Sequence, residues 1–240
     1  MHKPIITAYG ENAFLLKWPS VIDTKMHDEI LTWEAFIASS FQNELLDIVI
    51  TYTEIAVYFK SNIALDTFSS IVHSMELQND LSIRQKPTTW LIPVCYDKEL
   101  GWDIEVVAEQ NNITTGQVSN LHTAQPYRVY FTGFLPGFLY LGGLSHQLTT
   151  PRKETPRLKI PKGSVAIAGS QTGIYPQDSP GGWQIIGQTP IEMFDLLEAK
   201  PSPFSPGDYI QFQSVSKDTF EGILAEIEAG VYYIIKGVHK

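Results

Sequence analysis

The 240-residue chain contains a single cysteine, Cys95, so it forms no internal disulfide, and a cytoplasmic location is expected. Long apolar runs are missing too. None approaches the roughly 20 residues that cross a bilayer, so no membrane partner is expected. The opening MHKPIITAYGENAFLLKW has no extended apolar stretch behind a basic head and meets Glu11 early, unlike a secretion signal. Positive charge is scarce: 17 Lys and Arg stand against 26 Asp and Glu, a net charge of −9. Nucleic acids and anionic surfaces need accumulated positive charge, which excludes both as partners. Neither GxxxxGK[ST] nor GxGxxG occurs, so any nucleotide is held without those phosphate loops. His2, His27, His73, His122, His146 and His239 are scattered, with no HExxH and no cysteine cluster, which leaves no metal-ligand set. Gly143-Leu144-Ser145-His146-Gln147 begins like a nucleophile elbow, but Gln147 stands where the final glycine belongs.

Apolar periodicity divides what remains. Ile5 to Tyr9 and Ala13 to Trp18 bracket Gly10-Glu11-Asn12 as a hairpin. Met26, Ile30, Trp33 and Ile37 recur at helical spacing behind Asp23, a cap, and predict a helix over 24 to 39. Leu46 to Tyr52 and Ile55 to Phe59 form a second strand pair. Leu65, Phe68, Val72 and Met75 repeat the helical spacing, and Thr89 to Val94 returns to strand. A short helix follows over Asp103 to Gln110, and Thr114 to Gln117 fits a capping box for another that ends near His122. After Pro126 the helical period disappears. Strands at Arg128 to Phe131, Ser164 to Ala168, Trp183 to Ile186 and Tyr209 to Phe212 are separated by glycine and proline turns. Asp218 and Glu221 then cap a helix through Ile227, and Val231 to Ile235 reads as a last strand. The fold class is α+β: a small α+β domain over 1–88, then an all-β unit over 89–240, with barrel and sandwich both open.

Glycines, prolines and aromatics alternate densely between Tyr127 and Pro190. A helix would lose about 1 kcal/mol at each internal glycine and about 3 kcal/mol at each proline. Within this segment Arg152, Lys153, Arg157, Lys159 and Lys162 make a basic patch, suited either to a small anion or to a solvated strand face. His122 reads as a proton carrier at the mouth of the β unit or as a helix-end residue satisfying carbonyls. Gly133, Pro136 and Gly137 set a turn in which the backbone approaches something closely, a ligand being one candidate. Gln171 and Tyr175 place an amide and a phenol on a turn-rich loop within reach of a bound polar group. Phe134, Phe138 and Tyr140 read as core, as does Trp183, with a pocket wall as its alternative.

Several blocks carry a resemblance: GFLPGFLYLGGL (Gly133 to Leu144), PRKETPRLKIPKGSVAIAG (Pro151 to Gly169), QTGIYP (Gln171 to Pro176) and PGGWQIIGQTP (Pro180 to Pro190). With IPVCYD, Asp103, His122, YRVY and SPGDYIQF they are similar to the family of the 5-oxoprolinase B subunit, the sporulation-kinase inhibitor KipI and allophanate hydrolase subunit 1. The resemblance implies a cyclophilin-like barrel for the β unit. It also implies a component of 5-oxoprolinase, inactive alone, that works with the A and C subunits and uses ATP as co-substrate to convert 5-oxo-L-proline to L-glutamate. Its alternatives are inhibition of a histidine kinase or a part in urea and allophanate metabolism. Carried onto matching positions, it implies that His122, Arg152 and Arg157 are catalytic and that Gln171, Tyr175, Gly133, Pro136 and Gly137 contact substrate.

Overall fold

The computed structural model describes residues 2–75 and 86–237; His239 lies outside them. Contacts divide the chain into Met1–Lys86 and Pro87–Lys240, against the expected boundary after residue 88. The first unit is an antiparallel sheet of β1 (Ile5–Ala8), β2 (Ala13–Lys17), β3 (Leu45–Ile50) and β4 (Glu54–Phe59), in the order β1-β2-β4-β3. Helices α1 (Thr24–Ser40) and α2 (Leu65–Met75) complete it. Asp23 caps α1, its Oδ1 accepting from the Lys25 and Met26 N–H groups at 2.8 and 2.9 Å. The 3.6-residue period then buries Met26, Ile30, Trp33 and Ile37. Strand alternation buries Ile55, Val57 and Phe59, and Phe14, Phe41, Phe59 and Phe68 pack as one aromatic group. Each such side chain removed from water contributes about 1.5–3 kcal/mol.

The second unit is a closed barrel, as the resemblance implied. Its seven strands are β5 (Thr89–Cys95), β6 (Tyr127–Thr132), β7 (Leu139–Gly142), β9 (Ser164–Ala168), β10 (Gln171–Ile174), β12 (Gln184–Gln188) and β13 (Tyr209–Val215). They run β12-β9-β10-β7-β6-β13-β5, and Gln188 opposite Cys95 closes the ring. A short pair, β8 (Arg157–Ile160) with β11 (Ser179–Gly181), forms its own two-stranded sheet, and β14 (Ile235–Gly237) pairs with β5. Val129, Leu139, Leu141, Val165, Ile167, Ile174 and Phe212 share the core of this unit. Helices α3 (Ile104–Gln110) and α4 (Thr115–Thr123) pack on each other and on β12 and β13.

Two local expectations are corrected. Helix α5 (Lys217–Glu228) is capped by Ser216, whose Oγ accepts from the Thr219 N–H at 3.2 Å, rather than by Asp218 or Glu221. The last strand begins at Ile235, where pairing with Leu91 starts, so most of the expected 231–235 strand lies outside it. No helix among the described residues is long and apolar enough to cross a membrane.

Candidate functional site

Asp103 organises the polar surface of the barrel unit. It sits at the N-terminus of α3, yet its carboxylate makes no helix cap. It is 2% exposed and receives Arg157 through two parallel bonds, Nη1 to Oδ2 and Nη2 to Oδ1, both 2.7 Å. The Ile185 N–H adds a bond to Oδ2 at 2.8 Å, and Lys153 Nζ lies 3.3 Å from Oδ1. Burial alone would raise the Asp103 pKa. The Arg157 and Ile185 bonds and the charges of Arg157 and Lys153 outweigh it, holding the carboxyl below its ordinary value. The same bonds push Arg157 up, and its guanidinium also lies 5.5 Å from the centre of the Trp102 ring.

The basic patch of the sequence is therefore largely neutralised from within. Lys153 and Arg157 face Asp103, Lys159 faces Asp178 at 2.8 Å, and Lys162 pairs with Glu192. Of the five cations, Arg152 alone has no carboxylate partner among the described residues. Its guanidinium stands 5.7 Å from the centre of the Trp183 ring, a cation–π distance. Residues 151–155 are strapped by the Lys153 N–H to the Gly182 carbonyl at 2.7 Å, and with Val106, Gln110 and Gln184 they line a cleft of about 410 Å³.

Beside Arg152 is an aromatic wall on the outer face of the barrel. Phe138, Tyr140, Tyr175 and Trp183 meet with ring centres 5.0–6.1 Å apart. Tyr175 lies in this wall, 1% exposed, instead of on an open loop. Burial pushes its phenol up to about 12, opposed by the Trp183 main chain and by Arg152. Gln171 opens β10, half-buried, and its side chain makes no hydrogen bond among the described residues. Strand alternation puts it on the face of Gly173, where an added Cβ would meet Phe138 and Trp183 at 3.0 and 3.1 Å.

The loop from Gly133 to Phe138 joins β6 to β7 and is closed by the Gly133 N–H to the Phe138 carbonyl at 3.2 Å. Gly137 has φ +82°, and a Cβ there would run into the Cβ of Phe194, so a glycine is required twice over. Phe134 also adopts a positive φ, +68°, with its ring 62% exposed; an aromatic residue held there is strained. Pro136 is exposed at the same turn.

His122 is elsewhere, and the expectation that it projects to the mouth is corrected. It is fully buried and stacks on Phe212 at 4.5 Å. Thr172 Oγ1 donates to the Ala166 carbonyl at 3.0 Å, so it must accept from His122 Nε2, 2.8 Å away. Nδ1 is then the acceptor for the Tyr96 hydroxyl at 2.7 Å. Burial lowers the His122 pKa to about 3. Gln171 and Thr172 are adjacent but point to opposite faces, and that one step separates His122 from the other sequence candidates. Asp103 gave no chemical signal in the sequence beyond its place in the resemblance, because its partner lies 54 positions away.

Comparison with known proteins follows the same lines. The family described as the carboxyltransferase domain, subdomain C and D, matches residues 4–204. The chain is 32% identical over 234 residues to the 5-oxoprolinase B subunit of Bacillus subtilis (strain 168), covering 92% of this chain and 97% of that one. It is 49% identical over 121 residues to the 5-oxoprolinase B subunit of Escherichia coli O157:H7, spanning 50% of this chain and 56% of that one. The structure of the Kluyveromyces lactis urea carboxylase superposes with a TM-score of 0.77 at 17% identity, over 98% of this chain and 24% of that one, a likeness of fold. The chain thus belongs to the carboxyltransferase subdomain C and D family, within the group of the 5-oxoprolinase B subunit.

Proposed function

We propose that this chain is the B subunit of an ATP-dependent 5-oxoprolinase and works with the A and C subunits to open 5-oxo-L-proline to L-glutamate. The observation that carries the proposal is the end-to-end similarity to the Bacillus subtilis protein, 97% of which is spanned. The chemistry is demanding because a lactam carbonyl is a poor electrophile. Phosphoryl transfer from ATP to the lactam oxygen activates the carbon, water adds there, and the ring C–N bond breaks with the nitrogen taking a proton. The resulting acyl phosphate loses its phosphate to a second water. Each step builds or moves negative charge, which a fixed guanidinium stabilises.

Arg152 can hold the substrate in place for those steps, because its charge is unspent and its guanidinium lies over Trp183. Arg157 acts differently in this reading. With its fork occupied by Asp103 it is a positioning residue for the 151–157 segment. Tyr175, 1% exposed, shapes the wall near Arg152, Gln171 carries an amide on the face of Gly173, and the Gly133–Pro136–Gly137 turn brings main chain beside Phe138. His122 lacks both a free nitrogen and solvent, so the proton carrier belongs to another component of the complex. A shallow outer barrel face cannot by itself keep water from an acyl phosphate, which also favours a partner that covers it.

The test is glutamate release from 5-oxoproline with ATP. The purified chain should give none, and the three assembled subunits should turn over. Arg152→Ala in the assembled complex should lose about two to three powers of ten in rate. Turnover by the single chain would make it a complete enzyme, and an inert assembled complex would remove the substrate assignment.

A further inference from the structure

Behind the cleft beside Arg152 lies an unmet acceptor, closed off from solvent. Gln184 begins β12 and lines this cleft at 4% exposure. Its Nε2 donates to the Pro151 carbonyl at 3.0 Å, while Oε1 has no hydrogen-bond partner among the described residues. Turning the amide over would set oxygen against the Pro151 oxygen, so the free end is the acceptor. A buried acceptor left unpaired is costly, and a leucine of similar size would avoid the cost. The same cleft offers Arg152, whose guanidinium has no acid partner among the described residues, with Val106 and Gln110 also lining it and Glu154 on the same segment as Arg152.

We infer that this cleft is a subsite for a small molecule with a carboxylate one carbon away from an N–H group: Arg152 takes the carboxylate and Gln184 Oε1 takes the N–H. This rests on the oxoprolinase reading, since 5-oxoproline and glutamate both carry that pair, on a lactam nitrogen in one and an ammonium in the other. Glu154 makes no ion pair among the described residues and favours the more positive nitrogen. Gln184 is thereby a specificity residue: a ligand with the same ring and charge but no N–H leaves Oε1 unmet. Sites built around a buried polar partner reject such analogues far more strongly than apolar pockets reject a missing methylene.

Calorimetric titration of the full chain with 5-oxoproline, with L-glutamate and with the carbocyclic analogue in which CH2 replaces the ring N–H tests this. The wild type should bind 5-oxoproline at least about tenfold more tightly than the analogue. Gln184→Leu should reduce that ratio to about twofold or less, and Arg152→Ala should weaken both ligands alike. Glu154→Gln should weaken glutamate and spare 5-oxoproline, which separates product from substrate as the occupant; equal loss of both would overturn the assignment of the nitrogen to that end. Equal affinity of the wild type for 5-oxoproline and the analogue would mean that water satisfies Oε1 and would overturn the inference, whether or not Gln184→Leu folds. Preference for the N–H retained in Gln184→Leu would overturn it too. Turnover by the assembled complex without N–H discrimination sinks the subsite and leaves the oxoprolinase reading intact, whereas discrimination by the chain with an inert complex does the reverse.

Discussion

His122 and Arg157 have the residue types of catalysts, yet in the fold both hold structure together. Histidine in the unfolded chain titrates near 6.5, while burial holds folded His122 at about 3. Between those values the unfolded state binds the extra proton, so stability rises with pH. The contribution is whole above about pH 6.5 and is lost, at about 1.4 kcal/mol per pH unit, as pH falls toward 3. Urea unfolding of the wild type and of His122→Gln across that range should therefore give curves whose difference slopes by that amount; parallel curves would refute the link. Arg157→Ala strips Asp103 of its bidentate partner and leaves a buried carboxylate with Lys153 and one N–H, so it should destabilise the chain by about 3 kcal/mol or more. Arg152→Ala, on an exposed side chain without an acid partner, should change stability by less than about 0.5 kcal/mol. Thermal unfolding of the two variants side by side distinguishes the braced arginine from the free one.

Among the elements, helix caps divide by what their side chains touch. Ser216→Ala and Thr114→Ala remove a bond to the third residue of α5 and α4 and should each cost about 1 kcal/mol by denaturant titration. Asp103→Ala stands at the same kind of position on α3 and should cost several times more, because its carboxylate serves Arg157 and β12 instead of the helix. Helix α1 was legible because the Asp23 cap and the Met26–Ile30–Trp33–Ile37 spacing are local signals that agree. Strand β9 was legible from a run of small and β-branched residues bounded by Gly163 and Gly169. The short strands β8 and β11 were not, because RLKI alternates over only four residues and SPG has no apolar period at all, and they are strands through pairing with each other. The site followed the same rule. Arg152, Tyr175 and Trp183 stand out as residue types, but which cation stays free depends on Asp103, Asp178 and Glu192, whose proximity no spacing rule reveals.

At the scale of the molecule, two units have separate cores, and the candidate chemistry lies on the second. In the first unit Leu16, Ile30, Ile37, Ile55 and Val57 are fully buried. The barrel is made differently. Strand β5 is its earliest strand, yet its neighbours are all later in sequence: β12 and β14 antiparallel, and β13 parallel with Ile92 opposite Phe212. During synthesis the first unit can fold while the barrel is still being made, whereas β5 must wait for more than a hundred further residues before its parallel partner exists. Pairings across so long a loop form late and slowly. Translation halted before Tyr209 should therefore yield a protease-resistant first unit joined to a protease-sensitive remainder, as limited proteolysis of stalled chains would show. A nascent barrel of this kind keeps Trp90, Ile92 and Val94 open to the cell until Tyr209–Val215 has been made, so its yield should depend on how quickly the ribosome reaches that strand and on whether a chaperone holds β5 in the interval.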